Sequence, residues 1–175
     1  MVVKYNLGCG TTILDGYINI DKAKYLKDED GKEVDYVRAN ILTYDYEMAD
    51  EFFLDNVIEH LEFKIVIRLL ETLKKKLKPN GTIFIIVPDF ESVTKCIIEL
   101  PPDALFNFNI WARNCLLGTQ VHDEDYHRSF YTQPLLKYIC ESCGFKTKGL
   151  YKLPYSKHGG YHLRIILERY DVQGK

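Results

Sequence analysis

Two stretches near the N-terminus, Tyr5-Asn6-Leu7-Gly8-Cys9-Gly10 and Gly16-Tyr17-Ile18-Asn19-Ile20-Asp21, decide the fold. Each is a short apolar run that stops abruptly, the first at a Gly-x-Gly turn and the second at an aspartate. Short apolar runs closed by turn residues read as strands. Glycine lets the backbone approach a ligand with no Cβ between them, and it tolerates positive φ. A carboxylate at the end of the next strand can accept hydrogen bonds from both hydroxyls of a ribose.

The pattern repeats outward from there. Tyr36-Val37-Arg38-Ala39 is closed by Asn40, Phe52-Phe53-Leu54 by Asp55-Asn56, and the apolar run Thr82 to Val87 by Pro88-Asp89. Thr82 to Val87 reads as a central strand buried on both faces. Between the last two runs, Val66, Leu69, Leu70, Leu73 and Leu77 fall on one face of a helix spanning about Phe63 to Leu77. Lys74, Lys75 and Lys76 complement its C-terminal dipole, and Pro79-Asn80-Gly81 stops it. The charged stretch Lys22 to Glu33 reads as a solvated loop. A short helix is expected over Ser92 to Leu100, then an insertion at about 101–131 with a helix near Phe106 to Leu117. A last helix starts at Thr132-Gln133-Pro134, with Thr132 as N-cap, and ends at Gly144. Lys146 to Leu153 and His162 to Arg169 are two final strands, an expected antiparallel hairpin at one sheet edge. Strands alternating with helices imply a single α/β domain over 1–175, Rossmann-like, its sheet mostly parallel.

Composition narrows the function classes. The chain has 175 residues, 46% of them hydrophobic and 27% charged, which excludes global disorder. Lys and Arg number 23 against 25 Asp and Glu, so the bulk basic charge of a dedicated duplex binder is missing and no nucleic-acid partner is expected. The five cysteines are an odd count, and Met1-Val2-Val3-Lys4 runs straight into a strand. Free thiols and a cytoplasmic location are the expectation. No uncharged run approaches the ~18 residues of a membrane helix, so no membrane partner is expected either.

In order and spacing, the sequence resembles the class I S-adenosylmethionine-dependent methyltransferases. The residues that carry the resemblance are Tyr5 to Gly10, Gly16 to Asp21, Asn56-Val57-Ile58-Glu59-His60-Leu61, Leu77-Lys78-Pro79-Asn80-Gly81-Thr82, Tyr126 to Thr132 and Gly144-Phe145. The last two segments look like small bacterial members, some of which act on sugars or surface polysaccharides. The resemblance implies S-adenosylmethionine as cofactor and S-adenosylhomocysteine as product. It implies that Gly8, Cys9 and Gly10 pack against the methionine part, Asp21 holds the ribose, Asn40 and Ile41 lie by the adenine, and Asp55 and Asn56 floor the pocket. The chain departs from the family at Asn6, where an acid is usual, at Thr12, which replaces a glycine, and at Asn40, often an aspartate. Only six residues, Thr11 to Gly16, separate Gly10 from the next strand, whereas a parallel crossover normally carries a helix. The first helix is therefore expected to be nearly absent. A nicotinamide dinucleotide, whose pyrophosphate sits on a helix N-terminus, suits this connection less well than a phosphate-free sulfonium.

An oxygen acceptor needs a base, and histidine is the natural one near neutral pH. His127, beside Arg128 in a polar loop, and His60, just past the fourth strand, are the candidates. His158 and His162 read as structural or solvated. The run His122 to His127 offers metal ligands without helical spacing, so it reads as an acidic loop and no metal is expected. Cys140 and Cys143 read as helix-core cysteines rather than a redox pair. Phe106, Phe108, Trp111 and Tyr131 are candidates to roof an acceptor pocket, or to form core or a homodimer surface. The expected activity is methyl transfer to a small-molecule or saccharide acceptor. A degenerate cofactor- or partner-binding module and a nicotinamide-dependent oxidoreductase are the competing readings.

Overall fold

The computed structural model describes residues 1–27, 30–99, 101, 103, 114–120, 125–154 and 161–170. They form strands β1 (Lys4–Leu7), β2 (Ile18–Asp21), β3 (Val37–Arg38), β4 (Ala49–Asp55), β5 (Leu77–Pro88), β6 (Phe145–Pro154) and β7 (Tyr161–Arg169). Helices α1 (Phe63–Lys76), α2 (Phe90–Glu99) and α3 (Gln133–Ser142) connect them, with a 3₁₀ turn at Ile58–His60. One sheet holds all seven strands in the order β3-β2-β1-β4-β5-β7-β6. The first five are mutually parallel, while β7 runs antiparallel to both β5 and β6. The expected hairpin therefore closes one edge, with β7 seated on β5 and β6 outermost.

One face of the sheet carries the core. Tyr5, Leu7, Phe52, Leu54, Ile83, Ile85, Val87, Leu163, Ile165 and Leu167 are buried there with Val66, Leu69, Leu70 and Leu73 of α1 and Leu136 and Cys140 of α3. The register makes this inevitable. Tyr5 pairs with Phe52, Phe52 with Ile83 and Ile83 with Leu167, so every second residue of each strand points the same way. Tyr5, Tyr46 and Phe52 pack as edge-to-face and stacked rings at 5.2–5.5 Å. On the opposite face Thr82, Phe84 and Ile86 are only half-buried, so β5 is not covered equally on both sides as its sequence suggested. The Arg164 guanidinium lies 5.0 Å from the Phe84 ring centre and covers part of that face.

The expected loss of a helix between β1 and β2 is borne out, and two buried asparagines make it possible. Asn6 and Asn19 are register partners on adjacent strands, 2% and 8% exposed. The Asn6 amide nitrogen donates to Asn19 Oδ1 at 2.9 Å and to the Thr12 carbonyl at 2.7 Å. Asn19 Oδ1 also accepts the Leu14 N–H, and its amide nitrogen donates to the carbonyls of Leu14 and Tyr17. A connection too short for a helix thus has its backbone groups satisfied by side chains, as buried peptide groups require.

Two further expectations need correction. Strand β5 begins at Leu77 rather than Thr82, because Pro79-Asn80-Gly81 continues the strand; Asn80 adopts φ +64° and the ladder slips between Ala49 and Glu51. Thr132 occupies the N-cap of α3, but its hydroxyl makes no capping bond. Of the alternatives open for Tyr131, the structure selects core: it is 1% exposed, with its hydroxyl directed at Ser129 and the Ile58 carbonyl. Phe106, Phe108, Trp111, His122 and His158 lie outside the described residues. Of the expected 106–117 helix, residues 114–117 are described and are helical.

Candidate active site

The carboxyl ends of β3, β2, β1, β4 and β5 lie side by side, and every polar residue expected to matter there sits on one of them or just beyond. At the end of β1, Gly8 (φ +64°) and Gly10 (φ +50°) turn the backbone sharply. A Cβ on Gly8 would meet Val57 Cγ2 at 2.8 Å, so this glycine permits close approach of the β1 and β4 ends. At Gly10 a Cβ would meet nothing within 4 Å, which leaves open space above the turn. The Gly10 N–H donates to Asp21 Oδ2 at 2.9 Å, and the Ala23 N–H donates to Asp21 Oδ1 at 2.8 Å. Each oxygen of Asp21 keeps a second lone pair. The Gly turn and the aspartate, eleven positions apart in the chain, thus form one unit. Cys9 is buried, and desolvation with the nearby Asp21 charge pushes its thiol up to about 12, so it packs rather than reacts.

Beyond β3, Asn40 builds a tight turn: its side-chain oxygen accepts the Leu42 N–H and its carbonyl accepts those of Thr43 and Tyr44. Ile41 is partly buried against the core. At the end of β4, burial pushes the Asp55 carboxyl upward, and Asn56 (φ +52°) donates to Asp55 Oδ1 at 2.9 Å.

On the other flank of β4, the 3₁₀ turn presents Glu59 and His60. The loop 127–131 is stitched to this turn through its free carbonyls. The N–H groups of Arg128 and Ser129 both donate to the Glu59 carbonyl, and Ser129 Oγ donates to that of Ile58 at 3.1 Å. His127 is thereby placed against His60, ring centres 4.8 Å apart and nearly perpendicular. Its Nδ1 lies 3.1 Å from the Cys115 carbonyl, which can only accept, so Nδ1 carries the proton and Nε2 the lone pair. Burial, with His60 close by, lowers its pKa to about 4, and the ring is neutral at pH 7. Glu59 is 1% exposed, and neither of its carboxylate oxygens receives a well-formed hydrogen bond from a described residue. Desolvation pushes it up to about 8; its own backbone N–H offsets part of this and the Asp55 charge adds to it.

Two further residues belong with the candidate site. His162, expected to be structural or solvated, takes the structural place: it is 4% exposed at the start of β7 and hydrogen-bonds Asn56 Oδ1 at 2.8 Å. Nothing local signals a contact between residues 106 positions apart. Glu59 did carry a signal, an acid and a histidine adjacent just past a strand end. Nearby, the buried Asp89 at the end of β5 pairs with Lys152 at 2.9 Å.

Comparison with solved structures fits this arrangement. The chain superposes on a 1,6-didemethyltoxoflavin-N1-methyltransferase from Burkholderia thailandensis, solved with that compound and S-adenosylhomocysteine, at TM-score 0.66 and 16% identity, covering 97% of this chain and 71% of the other. This is the methyltransferase fold. An S-adenosylmethionine-dependent methyltransferase from Methanosarcina mazei matches at TM-score 0.66 and 14% identity over 95% of this chain and 92% of its own. The N-methyltransferase NodS from Bradyrhizobium japonicum, solved with S-adenosylhomocysteine, matches at 0.62 and 12% identity over 97% and 79%. No family profile matches the chain, and no functionally curated protein does. The methyltransferase fold accounts for the strand order, with β7 inserted between β5 and β6. Among the described residues no helix is long and apolar enough to cross a membrane.

Proposed function

We propose that the chain is an S-adenosylmethionine-dependent methyltransferase acting on a hydroxyl of a small polar acceptor, a saccharide in the most specific form of the reading. The observation that carries it is the Gly10 N–H to Asp21 carboxylate hydrogen bond, which holds a Cβ-free turn and a ribose-capable acid together at adjacent strand ends. The structural neighbours solved with S-adenosylhomocysteine support the same ligand. The residues fit it: open space lies above Gly10, Asp21 has lone pairs to spare, and Asn40 and Ile41 lie one strand further along for the adenine. Bound there, S-adenosylmethionine would supply the electrophilic methyl group.

The chain's own residues do the rest. Gly8, Cys9 and Gly10 leave the methionine part room without offering a nucleophile, since the Cys9 thiol stays protonated. Asp55 and Asn56 close the floor, and His162 holds the Asn56 amide in place. On the acceptor side, His127 and His60 face one another, and Nε2 of His127 has the lone pair to take the acceptor's proton. Arg128 sits in the same loop for an anionic group on the acceptor. The test is S-adenosylhomocysteine release with a panel of saccharides, phenols and amines. Release driven by saccharides, abolished in Asp21→Ala and slowed in His127→Ala with unchanged cofactor KM, is expected. Release driven by amines alone would contradict the hydroxyl acceptor.

A further inference from the structure

The buried Glu59 carboxyl is not used by the methyl-transfer chemistry. Carboxylates inside a protein are paired, hydrogen-bonded or bound to a metal, because desolvating an isolated one is costly. Glu59 is 1% exposed, and both its oxygens lack a well-formed hydrogen bond among the described residues. The groups beside it are imidazoles. One ligand atom each from Glu59, His60 and His127 lies within 4.8 Å of the other two.

We propose that Glu59, His60 and His127 form a binding site for one divalent ion of the zinc class. Two imidazoles and one carboxylate are a zinc donor set, three protein ligands that leave a fourth position open. Magnesium prefers all-oxygen sites and is the poorer match. Tetrahedral ligands at ~2.1 Å from the ion stand about 3.4 Å apart, so side-chain shifts of roughly 1 Å close the site. Two further observations point the same way. His127 donates its other ring N–H to a backbone carbonyl, that of Cys115, the usual outer contact that orients a metal-binding imidazole. The two segments that supply the ligands are locked together by the Arg128 and Ser129 N–H bonds to the Glu59 carbonyl.

The proposed role rests on the methyl-transfer reading; the ion binding does not. With an ion held by the three side chains, the His127 Nε2 lone pair would be engaged by the metal; the ion would take the acceptor oxygen at the open position and make its proton acidic enough to leave to solvent.

The experiment is calorimetric titration of the full chain with Zn²⁺ and, separately, Mg²⁺, before any cofactor is added, together with the absorption spectrum of the Co²⁺-loaded chain. One Zn²⁺ per chain is expected, bound at least ~100-fold more tightly than Mg²⁺. The isosteric Glu59→Gln should lose no less than the ~10–100-fold that removing even an outer-shell contact costs a metal site. Cys143→Ser should bind as the wild type does, and Co²⁺ should give visible bands without a thiolate charge-transfer band. Absence of Zn²⁺ binding, binding indifferent to Glu59→Gln, or binding lost in Cys143→Ser would each overturn the site. S-adenosylmethionine binding is then measured on the same samples. Zinc binding without cofactor binding would keep the site and remove the methyl-transfer reading; cofactor binding without zinc would do the reverse.

Discussion

Replacing Asn6 by aspartate restores the acid usual at this position in the methyltransferases the sequence resembles, and it should damage the protein. In the wild type the Asn6 amide nitrogen donates two hydrogen bonds, a buried one to Asn19 Oδ1 and a part-buried one to the Thr12 carbonyl. An ionised aspartate faces both acceptors with acceptors. Asn19 cannot simply turn its amide round, because its oxygen holds the Leu14 N–H and its nitrogen the carbonyls of Leu14 and Tyr17. Each buried acceptor left unsatisfied costs about 1–3 kcal/mol. Burial would push the new carboxyl upward, so protonation limits the loss. Two acceptors facing it give an expected destabilisation at pH 7.5 of about 2–6 kcal/mol, or roughly 4–24 °C in Tm for a chain of this size. The sign with pH is fixed. A carboxyl whose folded pKa is raised is harmless below its unfolded pKa, and its penalty grows as pH rises through the folded one. Urea titrations of both proteins between pH 4 and 8 read this directly, and the gap should shrink towards pH 4. A variant as stable as the wild type at pH 7.5, or one that binds S-adenosylmethionine more tightly, would refute the view that Asn6 staples the shortened connection.

Other perturbations test separate parts of the account. Gly118→Ala should lower stability by about 2–5 kcal/mol, since a left-handed φ and overpacking both penalise it; Gly118 has φ +79° and its Cβ would meet the Asp125 carbonyl oxygen, so an unchanged Tm would refute the packing of the loop that carries His127. The acid limb of stability should lie between pH 6.5 and about 4. Burial lowers the pKa of His162 and of His127 to about 4, so the unfolded chain binds their protons first, and stability present above pH 6.5 is lost as pH falls. His162→Gln should flatten this limb by an amount on the order of 3 kcal/mol, read from denaturant midpoints across that range. Iodoacetamide at pH 7.5 should spare Cys9, whose thiol burial holds near 12; rapid modification at Cys9, found by peptide mapping, would contradict its burial beneath the turn.

Much of the fold was legible in local chemistry. Strand ends marked by Gly8-Cys9-Gly10, Asp21, Asn40 and Asp55-Asn56 could be read because a turn residue after an apolar run has few other uses. The helix over 63–76 could be read because its leucines recur at the helical period. The short β1–β2 link was visible by counting, but the reason it holds was not. That reason is a hydrogen bond between Asn6 and Asn19, which look like unremarkable polar residues until the register aligns them. The Pro79-Asn80-Gly81 segment misled because its residue types favour a turn, whereas pairing of Leu77 with Ala49 carries the strand through it. The proposed acceptor side was the least legible. Glu59, His60, His127 and His162 come from the 3₁₀ turn, a loop and the start of an antiparallel strand, and only tertiary contacts bring them together. Burial, rather than residue type, sets the protonation of Glu59 and His127.

All the chemistry proposed for this chain depends on the Gly turn and Asp21 forming an S-adenosylmethionine site. Calorimetric titration of the chain with S-adenosylmethionine and S-adenosylhomocysteine, with NAD as control, tests it most directly. Micromolar binding of both sulfur compounds, none of NAD, and at least a ~10-fold loss in Asp21→Ala, the cost of hydrogen bonds to a charged group, are expected. Binding of NAD alone, or sulfur-cofactor binding undiminished in Asp21→Ala, would contradict it.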